Sequence, residues 1–274
     1  MNLDGVAFAA KAGAPILQLE KKMRRFFIPP ERLRAAEPVL DEEDARHIRT
    51  VLRIGPGTSI VVFDGNGAEY EARIVAVDHR QVRVALTRQL PASAESPLHI
   101  ALAQGYLKDK KMDTLVGHLT ELGVTRWIPF IAHRSVATPD ERRSEARHQR
   151  WRKISLESVK QCRRSRPMEI EAVLSFEKAL QLSEGYDLKL FFWESRGESL
   201  AIGRADGPKP ARVFIMIGPE GGFEASEQRA AERHGFLTMQ MGPRILRAET
   251  AALASCTLIQ YVFGDLAQNV LDNH

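Results

Sequence analysis

The chain has 274 residues, 44% of them apolar and 27% charged, a balance that excludes a disordered chain and predicts about two domains. Nineteen glycines and 14 prolines fall without a period, which excludes collagen, and two cysteines are too few for a disulfide framework or a four-ligand zinc site. No apolar run reaches the ~20 residues that span a bilayer.

The net charge of +4 is unevenly spread. Residues 141–166 hold ten basic side chains and three acidic ones, so this stretch is +7 and the rest sums to −3. A local arginine-rich surface on a near-neutral chain points to a polyanionic partner, most simply a nucleic acid. The alternative is a solvated helix whose charges pair at i,i+4, for which the stretch itself supplies few acids.

In chain order, residues 1–23 read as an N-terminal extension. It lacks the basic leader and long apolar run of a secretory signal, and with the free cysteines this leads us to expect a cytoplasmic protein. Residues 24–92 read as short strands. A strand at 25–28 stops at Pro29 and Pro30. A helix at 44–52 aligns Ile48, Val51 and Leu52, with Asp44 as its cap. Strands follow at Ser59–Phe63, Glu69–Val77 and 81–86, the first two joined by the turn Asp64-Gly65-Asn66-Gly67. Such strands suggest a small β-barrel. Residues 91–97, PASAESP, have linker composition.

From 97 to 268 strands alternate with helices. Strands are predicted at 99–103, 127–131, 187–193, Arg212–Ile217 and 236–241. Helices are predicted at 112–122, 140–163, 225–234 and 249–263. This alternation argues for a mostly parallel α/β sheet.

Two segments carry chemistry. Ile217-Gly218-Pro219-Glu220-Gly221-Gly222-Phe223 joins an apolar strand to a helix, where glycine lets a ligand approach the main chain. The spacing is neither G-x-G-x-x-G nor a P-loop, and the carboxylate of Glu220 would repel phosphate. A phosphate-free, cationic cofactor fits better, and S-adenosylmethionine is one. Met241-Gly242-Pro243-Arg244-Ile245-Leu246-Arg247 likewise follows a strand and opens a helix, with Glu249 and Thr250 in its first turn. That last helix is apolar nearly all round, which predicts burial in part against another subunit.

Together IGPEGGF and MGPRILRAETAA resemble the C-terminal signature of the SPOUT methyltransferases. RRFFIPPERL, His47-x-x-x-Val51-Leu52-Arg53, LTELGVTRWIPFIAHRS and RWRKISLESVKQCRRSRP are similar to one branch, the ribosomal small-subunit RNA uridine-N3 methyltransferase family. The resemblance implies an α/β domain with a deep trefoil knot over 97–268, a PUA-like RNA-binding β-barrel over 24–92, and a homodimer. It implies S-adenosylmethionine as cofactor, 16S ribosomal RNA within the assembled 30S subunit as substrate, and no metal or membrane.

Carried over by motif, the cofactor site would comprise Phe192, Trp193, Glu194, Ile217, Gly218, Pro219, Glu220, Gly221, Met241, Gly242, Ile245, Leu246 and Arg247. RNA contacts would come from Arg24, Arg25, Arg53, Arg134, Arg163, Arg164 and Arg166. Arg164 or Arg247 would stabilise the uridine anion, and Glu249 could accept its proton. The chain departs from the family where Arg163 replaces a usual glycine, Pro167 is shifted, and Glu224 replaces a helix-opening hydroxyl residue. Two other readings stay open: a 2′-O-methyltransferase of the same superfamily, and a non-catalytic RNA-binding assembly factor.

Overall fold

Pro29 and Pro30 end the first strand, β1 (Arg25–Phe27), and start helix α1 (Pro30–Leu33). A proline there gives up an amide that the first helical turn leaves unpaired anyway. The computed structural model describes residues 23–91, 95–108, 110–136, 139–194, 197–199 and 208–267, so the expected extension lies almost wholly outside the described residues. The chain divides into two compact units, Met1–Ala92 and Ser93–His274.

In the first unit, β2 (Val39–Leu40) leads to α2 (Glu42–His47), capped by Asp41, whose Oδ1 accepts the Asp44 amide at 2.7 Å. This corrects the expected cap: Asp44 is buried inside the first turn. A π-helical turn (Ile48–Leu52) follows and stops at Arg53, whose φ is 53°. Then come β3 (Ser59–Phe63), β4 (Glu69–Val77) and β5 (Val82–Gln89). The β3–β4 turn is held by Asp64, whose Oδ1 accepts the amides of Asn66 and Ala68 at 2.7 and 3.0 Å. The sheet order is β1-β3-β4-β5-β2, with only β1 and β3 parallel. Alternate residues of these strands bury Phe26, Ile60, Val62, Ile74 and Val84 against Ile48.

The second unit runs β6 (His99–Gly105), α3 (Lys111–Glu121), β7 (Arg126–Ile131), α4 (Ser144–Cys162), β8 (Glu169–Ile170), β9 (Leu174–Ser175) and α5 (Phe176–Gln181). It continues with β10 (Leu188–Phe192), β11 (Glu198–Ser199), β12 (Arg212–Ile217), α6 (Ala225–Arg233), β13 (Leu237–Gln240) and α7 (Ala248–Val262). The strands form one parallel sheet ordered β11-β13-β10-β12-β6-β7-β8, with β9 beside β7. Its central strands bury both faces, which is why VFIMI is a continuous apolar run and does not alternate. Strand order reverses around β12, and in such sheets ligand crevices open beyond the C-terminal strand ends at the reversal.

Two helices bear on the charge and burial expectations. Arg143, just before α4, and Arg150 and Lys160 in it pair with Asp140, Asp113 and Glu157, and Arg147 bonds the Tyr106 hydroxyl. Asp140 and Asp113 lie outside the stretch, so these two pairs offset two of its seven net charges. Arg142, Arg152 and Arg166 remain exposed. Helix α7 buries one face, with Ala252, Cys256 and Ile259 inaccessible, while Leu258 is 42% and Tyr261 60% exposed.

Candidate cofactor cleft and its surroundings

Three strands deliver the cleft. Phe192 ends β10, Ile217 ends β12, and Gln240 ends β13, and the loop after each strand turns toward a cavity of about 460 Å³. Every residue of the expected cofactor set lines it, from Phe192, Trp193 and Glu194 through the Gly218–Gly221 stretch to Met241, Gly242 and Ile245–Arg247. The sequence reading missed Lys111, Gly222, Met239, Gln240, Pro243, Arg244, Ala248 and Ala251. Gly222 was legible in the GPEGGF motif. Lys111 stands in the run Lys108-Asp109-Lys110-Lys111, whose charges a sequence gives no means of ranking.

The glycines are required for close approach. A Cβ at Gly105 would strike the Pro219 backbone, and one at Gly221 would lie 2.6 Å from the Arg134 carbonyl oxygen. Gly222 has φ +69°, and a Cβ there would strike the Glu194 carboxylate. Gln104, buried at the end of β6, donates through Nε2 to the Gly218 carbonyl at 3.2 Å. The Trp193 amide donates to the Met239 carbonyl at 3.1 Å, and Gln240 Nε2 donates to the Glu194 carbonyl at 2.9 Å. The loop after β12 is thus tied to β6, and the loop after β10 to the end of β13.

Glu220 is not a bare carboxylate. Its Oε1 accepts from Lys111 Nζ at 3.0 Å and from the Lys108 amide at 3.3 Å. Burial works to raise its pKa, and the Lys111 ammonium with nearby backbone amides outweighs that, leaving the carboxyl below its ordinary range. Lys111 Nζ also lies 3.6 Å from Glu249 Oε1, and the bond to Glu220 first, then its charge and that of Glu249, raise the ammonium pKa. Glu249 Oε2 and Trp193 Nε1 are buried without a hydrogen-bond partner. Among the described residues no His, Cys, Asp and Glu cluster could hold a metal ion, and no helix is long and apolar enough to cross a membrane.

Two expected site residues are corrected. Arg164 is 6% exposed: its Nε donates to Glu95 Oε2 at 2.9 Å and its Nη1 to the Thr120 and Val124 carbonyls at 2.7 and 3.1 Å. A guanidinium spent on those partners does not line the cleft or face solvent. Arg25 is likewise turned inward, in a two-pronged pair with Glu69 at 2.7 and 2.8 Å beside the Phe63 ring. Arg24, Arg53, Arg163 and Arg166 are exposed. Arg134 is half exposed, its Nε 3.6 Å from Glu224 Oε1, next to Gly221. Arg247 is exposed at the N-cap of α7 and lines the cleft; Glu249 stands in the first turn of that helix.

Residues 94–260 match the family described as the RNA methyltransferase domain, and residues 40–87 match the RNA methyltransferase PUA domain. The chain is 31% identical over 248 residues to ribosomal RNA small subunit methyltransferase E of Bacillus subtilis, covering 87% of this chain and 96% of that protein. The enzyme of the same name from Buchnera aphidicola is 26% identical over 245 residues, with 89% and 96% covered. Among solved structures, ribosomal RNA small subunit methyltransferase E from Neisseria gonorrhoeae bound to S-adenosylmethionine superposes with a TM-score of 0.78 at 29% identity, over 89% of this chain and 99% of that one. A Legionella pneumophila methyltransferase in complex with the same cofactor reaches a TM-score of 0.81 at 31% identity, over 89% and 100%.

Proposed function

Because the chain belongs to the ribosomal RNA small subunit methyltransferase E family, we propose that it transfers a methyl group from S-adenosylmethionine to N3 of a uridine in 16S ribosomal RNA. It is an S-adenosylmethionine-dependent RNA methyltransferase with a PUA-like N-terminal domain.

The observation that carries the reading is the cleft. It combines a glycine cradle that brings backbone close to a ligand, apolar walls at Phe192, Ile217, Ile245 and Leu246, and the carboxylates of Glu194 and Glu220. The walls suit an adenine and the carboxylates suit a cation. When bound, the cofactor supplies an electrophilic methyl group on its sulfonium.

Uridine N3 is a poor nucleophile while protonated, so the protein must favour the anion and hold it in line. Arg247, exposed at the cleft edge, is the group placed to stabilise that anion. Arg164, held by Glu95, drops out of this role. The base must be unpaired, since N3 lies on its pairing edge. Arg24, Arg53, Arg134, Arg163 and Arg166 then supply phosphate contacts, which position RNA without reading its sequence. A second copy packs on the exposed side of α7, where Leu258 and Tyr261 would otherwise stay wet. A cytoplasmic site of action and an assembled 30S substrate go with this reading, as does the knotted path implied by the family resemblance.

The test is methyl transfer to 30S subunits from a strain lacking the protein, followed by mass mapping of the modified nucleoside. N3-methyluridine in 16S RNA is expected. A 2′-O-methyl nucleoside would overturn the chemistry, and cofactor binding without transfer would mark a binding factor. Sedimentation at micromolar concentration tests the dimer.

A further inference from the structure

A single ammonium reaches carboxylates on both sides of the cleft. Lys111 Nζ lies 3.0 Å from Glu220 in the loop after β12 and 3.6 Å from Glu249 in the first turn of α7, just past the loop after β13. Those loops are two of the three that line the cavity, and Lys111 comes from another element, the start of α3. We propose that Lys111 is a positioning residue for cofactor capture, a clamp that fixes the separation of the two loops. This deepens the cofactor reading above and rests on it.

The loops have other ties, but those act elsewhere. Gln104 holds the Gly218 carbonyl from β6, and Gln240 holds the Glu194 carbonyl. Among the described residues Lys111 links Glu220 to α7. Remove its charge and two carboxylates are left facing each other across the cleft, which drives their loops apart. Glu249 has a further reason to need the ammonium: its Oε2 is buried without a hydrogen-bond partner.

Charge and geometry make opposite predictions here, so the clamp can be told from a charge effect. Deleting Lys111 makes the cleft more negative. If the lysine only tuned charge, its loss would tighten S-adenosylmethionine, which carries a sulfonium, and leave S-adenosylhomocysteine, which lacks one, unchanged. If the lysine sets the separation of the loops, its loss weakens both ligands alike.

The experiment measures calorimetric affinity for both ligands, and hydrogen exchange of residues 217–223 and 241–247 in the cofactor-free protein, for wild type, Lys111→Met and Lys111→Arg. We expect Lys111→Met to weaken both ligands about fivefold, the order of one semi-exposed ion pair, and to speed exchange in both loops. Lys111→Arg should restore both readouts. Glu249→Gln, which keeps the lysine, should speed exchange at 241–247 with a smaller loss of affinity, and it serves if Lys111→Met fails to fold. Tighter S-adenosylmethionine with unchanged S-adenosylhomocysteine would overturn the clamp, as would weakened binding with wild-type exchange, or no change in either. Failure of the wild-type protein to bind S-adenosylmethionine would instead overturn the cofactor reading.

Discussion

Arg164 and Glu95 form a bond across 69 positions of sequence, Nε to Oε2 at 2.9 Å, and each side of it does more than pair. Glu95 Oε1 accepts the amides of Ser165 and Arg166 at 2.9 and 3.0 Å, while Arg164 Nη1 caps the carbonyls of Thr120 and Val124 at the end of α3. The pair closes the turn after α4 onto the start of the second unit. Arg164→Ala takes the guanidinium away from Glu95 Oε2 and from the Thr120 and Val124 carbonyls. It should cost about 3–5 kcal/mol, the range for breaking a buried pair. Denaturant titration checks this, and unchanged stability would return Arg164 to the list of RNA contacts.

Arg163 ends α4 at φ 69°, a conformation that suits glycine. Arg163→Gly should therefore stabilise the fold by about 1 kcal/mol, raising Tm by about 2–4 °C. The same change removes a charge from the exposed pair Arg163 and Arg166. Replacing both with Ala should flatten the slope of log K for RNA against log salt by about one to two units, with cofactor affinity unchanged.

Gly221→Val acts through the neighbouring loop. Its Cβ would collide with the Arg134 carbonyl oxygen at 2.6 Å, so the glycine loop must shift off the segment after β7. Overpacking of this kind costs about 1–3 kcal/mol. S-adenosylmethionine affinity should fall by about tenfold or more in calorimetry, while circular dichroism stays that of a folded protein.

The Lys111–Glu220 pair has a pH window. Glu220 titrates below its ordinary range in the fold, so its contribution is present above that range and is lost as pH falls through the lowered value. Lys111 titrates above its ordinary range, so its contribution is present below that range and is lost as pH rises through the raised value. The Tm difference between wild type and Lys111→Met should be largest near neutrality and vanish in strong acid and strong alkali. A difference independent of pH would show that packing of the lysine stem, and not the ion pair, matters.

Cys256 is fully buried in α7, and burial pushes its thiol up to about 12 against a weaker opposing bond from Ser255. It should resist a thiol reagent at neutral pH until the chain is unfolded. Burial raises Cys162 as well, but that residue is only partly covered, so it should react first. Peptide mapping after labelling distinguishes the two.

Local chemistry made much of this protein legible in its sequence. Strand–loop–helix junctions announced themselves at Gly218 and Gly242 because glycine and proline act on their own backbone. The VFIMI run declared a strand buried on both faces, and the loops it feeds could be assigned to one cleft before any coordinates. What the sequence could not rank was charge. Ten bases between 141 and 166 looked like one basic face, yet Arg147, Arg150 and Arg164 find partners at Tyr106, Asp113 and Glu95, tens of residues away in the chain. Arg24 and Arg25 are adjacent and identical in type, and only the pairing of β1 with β3 and of β3 with β4 sets Glu69 beside one of them. Lys111 was invisible among its neighbours for the same reason. An ion pair depends on where two long side chains end in space, and only the tertiary fold brings those ends together.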